Sequence, residues 1–138
     1  MNWKMPAAFK KAYIQEIESY RSHLRAGRNA EAWRFLERAH LIGQYYPVPH
    51  TGSHGRMLLF AVREKDGKEF LGQLLRFAGG WLGSLFNRIP VGNPGGSNVP
   101  IFASFPIPED LRELLADADS SGKGLSGLRK KRVGTHTN

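Results

Sequence analysis

Phe9, Tyr13, Ile17, Tyr20 and Leu24 step along the chain by four, four, three and four residues. Side chains three and four apart share one face of a helix, so this spacing predicts an amphipathic first helix. Proline suits the first turn, which places its start near Pro6, and Gly27 suits its C-terminal cap. Asn29 suits the N-cap of a second helix over about residues 30–44, whose apolar line is Ala32, Leu36, Ala39 and Gly43. The small residues on that line allow close helix approach, and the short connection predicts an antiparallel pair.

YYPVPHTGSHG (45–55) interrupts the periodicity, because Pro47 and Pro49 bias their predecessors away from helix. A third helix is therefore expected from about Thr51 through RMLLFAVREK. Asp66 followed by Glu69 fits a capping box for a fourth. There Leu71, Leu74, Leu75, Ala78, Leu82 and Leu85 share one face, which predicts a core helix, weakened locally by Gly79, Gly80 and Gly83 at about 1 kcal/mol each. Residues 89–107 hold four prolines and three glycines and cannot be helical. Val91, Val99, Ile101, Phe102 and Phe105 suggest a loop that wraps the core. Pro108 should open a short last helix running to about Ala118. The expected fold is all-α: a compact bundle of about four helices with a long wrapping loop and a short C-terminal helix. Residues 1–118 would form the domain and 119–138 a flexible basic tail.

Composition narrows the chemistry. A chain of 138 residues suits one domain. No cysteine is present, which excludes disulfides, thiolate metal knuckles, iron–sulfur clusters and thiol nucleophiles. The opening MNWKMPAAFKKAY has no apolar h-region, so a cytoplasmic protein is expected. Phe70–Phe86 is too short to span a bilayer and contains Gln73 and Arg76, so no membrane role is expected. The formal charge is +8, of which the stretch from Asp119 onward carries +4: five cations less one acid. The body is thus only mildly basic. Nucleic acid is expected to bind at most non-specifically, through Lys123, Arg129, Lys130, Lys131 and Arg132. A protein partner stays open.

The chemistry-bearing residues concentrate in LERAHLIGQ (36–44) and HTGSH (50–54). Glu37, His40 and Gln44 are helical neighbours at i+3 and i+4. With about 100° per residue, His40 falls about 40° from the Leu36 line, at the edge of the interior. His50 and His54 also stand four apart and share a face if the third helix begins early enough. Three imidazoles and a carboxylate suit zinc or another divalent first-row ion, with Glu37, His40, His50 and His54 as ligands. Glu69, Gln73 and Arg76 form a polar line on the fourth helix, where Gln44 or Glu37 would be natural partners for Gln73 or Arg76. Gln44, Glu69, Gln73, Arg76 and Asn93 would orient the ligands or bind a small molecule; Arg76 suits an anion. The competing reading is a non-enzymatic protein-interaction module in which the same residues form a structural hydrogen-bond network. PVGNPGGSN (90–98) lacks the G-x-x-x-x-G-K-[ST] pattern of a phosphate-binding loop, and no clear strand precedes it. No nucleophile-elbow motif occurs, and no catalytic residue is assigned.

LERAHLIGQ, the His50–His54 pair before Met57-Leu58, EFLGQLLR (69–76) and PVGNPGG (90–96) together resemble a family of short bacterial proteins, domain of unknown function family 3703. The resemblance covers roughly residues 9–115, with E-R-A-H-x-x-G-Q as its most specific part. Pro94, where threonine is expected, is a minor departure. The resemblance implies that Glu37, His40, Gln44, His50, His54, Glu69, Gln73, Arg76 and Asn93 match motif positions. It implies no activity, cofactor or partner.

Overall fold

The computed structural model describes residues 4–85, 92–100 and 105–113, with the side chains of α4 described through Phe77. The architecture is all-α. Its elements are α1 (Ala7–Arg25), α2 (Asn29–Gly43), α3 (Pro47–Glu64) and α4 (Gly67–Leu85), with a further helical segment at 109–113. Each helix packs on its neighbour in sequence, so α2 lies between α1 and α3, and α3 between α2 and α4. Among the described residues no helix is long and apolar enough to cross a membrane.

α1 begins just after Pro6, as its proline predicts. It ends at Gly27, whose φ of 70° lets Arg28 N–H reach the His23 carbonyl at 3.0 Å and Gly27 N–H the Leu24 carbonyl at 3.2 Å. These two bonds satisfy the last carbonyls of the helix. Asn29 is the first residue of α2, and its side chain donates to Glu64 at 2.9 Å in place of capping.

α3 starts at Pro47, four residues before the expected Thr51. The two prolines fall in the first turn, where backbone N–H groups have no intrahelical acceptor to lose. They therefore begin the helix that their spacing suggested they would delay. Tyr13 Oη from α1 donates to the Pro49 carbonyl at 3.1 Å, and Ser53 Oγ does so at 3.0 Å. This anchors the turn that carries His50. The capping box at α4 forms only by half. Glu69 N–H donates to Asp66 Oδ1 at 2.9 Å, but the Glu69 carboxylate is turned to other partners.

Two apolar clusters flank α2. One joins Phe9, Leu41, Ile42 and Tyr46 to Ile107 and Leu111. The other joins Ile17, Tyr20, Ala32, Leu36, Ala39 and Met57. Ile107 and Leu111 show the chain after the loop returning to the core, as expected of a wrapping segment. Val99 and Phe105 are half-buried. Val91, Ile101 and Phe102, the helix end at 114–118 and the basic tail with Lys123, Arg129, Lys130, Lys131 and Arg132 lie outside the described residues.

α4 reverses the expected orientation. Leu71 is 57% exposed, Leu75 61% and Leu74 44%, while Gln73 and Arg76 are buried. The side chains of Ala78, Leu82 and Leu85 lie outside the described set. Among the described residues, α4 packs chiefly on α3 and on loop 92–100, through one face. That face is the polar one, because Gln73, Glu69 and Arg76 find matched partners there. On α3, Leu59 and Val62 are likewise exposed.

Leu36→Ala should therefore cost about 2–5 kcal/mol in urea denaturation, as a fully buried leucine does. Leu75→Ser should stay within about 0.5 kcal/mol of the parent. A loss for Leu75→Ser comparable to that of Leu36→Ala would contradict this orientation of α4.

Candidate metal centre

His40 comes from the last turns of α2, His50 and His54 from the first two turns of α3. The early start of α3 puts His50 and His54 one turn apart on the face that meets His40. The three Nε2 atoms converge on one point: His40–His50 is 3.0 Å, His40–His54 3.1 Å and His50–His54 3.2 Å. His40 and His54 are buried and His50 is half-buried. Among the described residues this is the one cluster of ligand atoms close enough to hold a metal ion.

The outer ring nitrogens fix the tautomers. His40 Nδ1 lies 3.1 Å from the Asn93 carbonyl, an acceptor only, so Nδ1 carries the hydrogen. His54 Nδ1 lies 2.8 Å from Gln73 Oε1. The Gln73 amide orientation follows from its nitrogen, which donates to Glu69 Oε1 at 2.6 Å and to the Gly95 carbonyl at 2.7 Å. His54 Nδ1 must then donate as well. Both Nε2 atoms are left as bare lone pairs, 3.1 Å apart. Only His50 can bring a hydrogen into the triangle, and one hydrogen cannot serve three nitrogen pairs.

Protonation does not relieve the conflict near neutral pH. Burial holds His40 well below the ordinary imidazole pKa, with His54 and His50 adding to it and the Asn93 hydrogen bond opposing. Burial, then His54, pushes His50 down to about 3. Burial also lowers His54, against the bond to Gln73. The cluster is three neutral imidazoles, with the bare Nε2 lone pairs of His40 and His54 converging on Nε2 of His50.

Loop 92–100 closes over this arrangement. Ser97 donates to Glu69 Oε2 through its N–H at 2.9 Å and its hydroxyl at 2.5 Å. Asn93 makes an Asx-type turn, its Oδ1 accepting from Gly95 N–H at 3.0 Å, and its amide donates to the Pro100 carbonyl at 2.9 Å. Gly95 has φ +90°, and a Cβ there would sit 3.0 Å from the His40 ring. Gly72 lets the loop lie on α4, because a Cβ would collide with Ser97. The loop thus presents carbonyls to the site, the opposite of an anion-cradling phosphate loop.

Of the residues expected at the site, His40, His50 and His54 meet directly. Gln73, Glu69 and Asn93 stand behind them as hydrogen-bond partners. Glu37 does not join the triangle. Its Oε1 accepts from Trp33 Nε1 at 2.9 Å, and burial pushes its carboxyl up, with Glu69 adding and Trp33 opposing. Neither Glu37 nor Gln44 reaches Gln73 or Arg76 as expected; backbone carbonyls of the loop take that place. Gln44 is buried beside the Tyr45 hydroxyl, and neither group makes a hydrogen bond of normal geometry. Arg76 Nη2 donates to the Val99 carbonyl. Ser97, Gly95 and Gly72 were not singled out from sequence, although glycines at fixed places within polar motifs signal close backbone approach. A separate cleft of about 330 Å³ is lined by Trp33, Phe60, Lys68, Glu69, Ser97 and Asn98 among others, and none of the three histidines faces it.

Fold and site define a small all-α protein with a buried three-histidine cluster held by a polar loop. The chain belongs to the family described as protein of unknown function (DUF3703), whose profile matches residues 7–115. No curated protein and no solved structure matches it.

Gln73→Leu strands the His54 N–H and the Gly95 carbonyl, and should cost about 2–4 kcal/mol of stability by denaturant titration. Gly95→Ala should cost about 1–3 kcal/mol, from its backbone conformation and its contact with His40. A neutral result for either would mean that the loop does not hold the cluster as described.

Proposed function

We propose that this protein binds one divalent first-row transition ion, zinc in the simplest case, through Nε2 of His40, His50 and His54. The supporting observation is the triangle of ring nitrogens with both Nδ1 hydrogens pointing outward. Two ligands at about 2.0–2.1 Å from an ion, subtending about 100°, stand about 3.1 Å apart. The observed edges of 3.0–3.2 Å match that spacing. A cation satisfies all three lone pairs at once. A purely structural network would need a hydrogen between each pair of nitrogens, and the tautomers leave at most one.

The donor set suits the reading. Neutral imidazoles favour zinc, copper, nickel, cobalt and iron over magnesium or calcium. The Asn93 carbonyl and the Gln73 amide accept the outer N–H groups of His40 and His54, which orients the rings and raises their basicity. Three ligands leave at least one coordination position, the pattern of sites that bind an exchangeable group. Glu37, bonded to Trp33, is not needed as a fourth ligand.

Chain purified without chelator and dialysed against zinc should retain about one ion per molecule by elemental analysis. His40→Ala, His50→Ala and His54→Ala should each lose it. Zinc at about 100 times its Kd should stabilise the fold by about 2.7 kcal/mol, and a chelator should reverse the gain. A wild-type chain that takes up no ion and melts at the same temperature with and without zinc, cobalt or copper would refute the proposal.

A further inference from the structure

The cleft of about 330 Å³ is walled by α2, the end of α3, the start of α4 and loop 92–100. Its size falls at the low end of the range for small-molecule sites. One wall is aromatic. Trp33 and Phe60, both half-buried, stand with ring centroids 5.2 Å apart and planes inclined at 49°. The loop lies against the indole: a Cβ on Gly96 would stand 3.4 Å from Trp33 Cζ2 and 2.7 Å from Asn98 Oδ1. The indole N–H is already committed, to Glu37 Oε1 at 2.9 Å. What Trp33 still offers a ligand is therefore its ring. An acceptor on the N–H polarises the indole and makes its π face more negative.

The charged lining is two acids, Asp66 and Glu69, and one base, Lys68. Among the described residues no ion pair joins Lys68 to either acid. Glu69 is fixed in place by the Gln73 amide at 2.6 Å, the Ser97 N–H at 2.9 Å and the Ser97 hydroxyl at 2.5 Å. A carboxylate has about four lone-pair sites, so these three donors leave one open. Asp66 Oδ1 accepts from the Glu69 N–H at 2.9 Å, and its Oδ2 has no partner among the described residues. The face of an aromatic ring attracts cations, and that of tryptophan does so most strongly. Acids beside such a wall repel anionic ligands and favour an ammonium group, whose N–H donors the open carboxylate positions can accept. The rings also suit an apolar body attached to it.

We infer that this cleft binds a small organic ammonium ion, with its charge held by Asp66 and Glu69 and its apolar body on the Trp33–Phe60 wall. The inference is independent of the metal reading, since none of the three histidines lines the cleft. The probe is benzylammonium chloride, titrated near neutral pH into the full isotope-labelled chain and followed by NMR. Benzyl alcohol serves as the neutral counterpart of the same shape. The chain has three tryptophans, and Trp33→Phe identifies the indole N–H signal of Trp33 by its loss. That signal should shift saturably with benzylammonium, and benzyl alcohol should bind roughly fivefold or more weakly. Phe60→Leu keeps the apolar bulk and loses the ring face. Asp66→Asn keeps the helix cap and loses the charge. Each should weaken benzylammonium roughly two- to fivefold, and Asp66→Asn should leave benzyl alcohol unchanged. Equal affinity for the ammonium and the alcohol would reduce the cleft to an apolar slot and overturn the inference. So would a Trp33 signal indifferent to benzylammonium, or a response undiminished in either variant. Should Phe60→Leu fail to fold by circular dichroism, Asp66→Asn, a change at an exposed residue, carries the test alone.

Discussion

The amide of Gln73, fully buried, joins three parts of the chain that are distant in sequence. Its nitrogen binds Glu69 on its own helix and the Gly95 carbonyl of the loop, and its oxygen accepts from His54 on α3. Because both acceptors on the nitrogen side are oxygens, the amide has only one orientation that avoids a clash of acceptors. That orientation forces the hydrogen of His54 onto Nδ1 and bares its Nε2. The tautomer of one histidine is thus decided in part by a backbone carbonyl of the loop. Removing any partner would strand buried polar groups, at about 1–3 kcal/mol each.

The same constraint explains why α4 turns its polar line inward. A helix with many leucines is expected to bury them, and the gain from burying one is about 1.5–3 kcal/mol. That gain requires a surface to bury against, and α4 packs chiefly on α3. The face it presents there carries Glu69, Gln73 and Arg76, each with a partner waiting in α3 or the loop. The outer leucines remain at 44–61% exposure. Polar complementarity at a site has overridden the apolar pattern of the helix.

Much of this was readable in advance. The steps of three and four along α1 and α2, the glycine after α1 and the proline-rich break after α4 mark elements that the structure contains. The spacing of His50 and His54 and the E-R-A-H segment single out the three histidines in the sequence itself. The exceptions have physical causes. Pro47 and Pro49 read as a break, yet a first turn has no N–H bond for proline to forfeit. Glu37 read as a ligand by its i, i+3 spacing from His40, yet the indole of Trp33, one turn away on the same helix, holds it.

Periodicity states which residues share a face, and residue chemistry states what that face can bind. The positions of α1 and α2, the histidine set and the polar line of α4 are therefore determined by sequence alone. Neither property names the neighbour that a face will meet. The inward turn of Gln73 and Arg76, the exclusion of Glu37 from the triangle and the early entry of α3 came from packing. So did the choice of tautomers, since the groups that fix them include the carbonyls of Asn93 and Gly95, and a backbone carbonyl is the same at every position until the fold aims it.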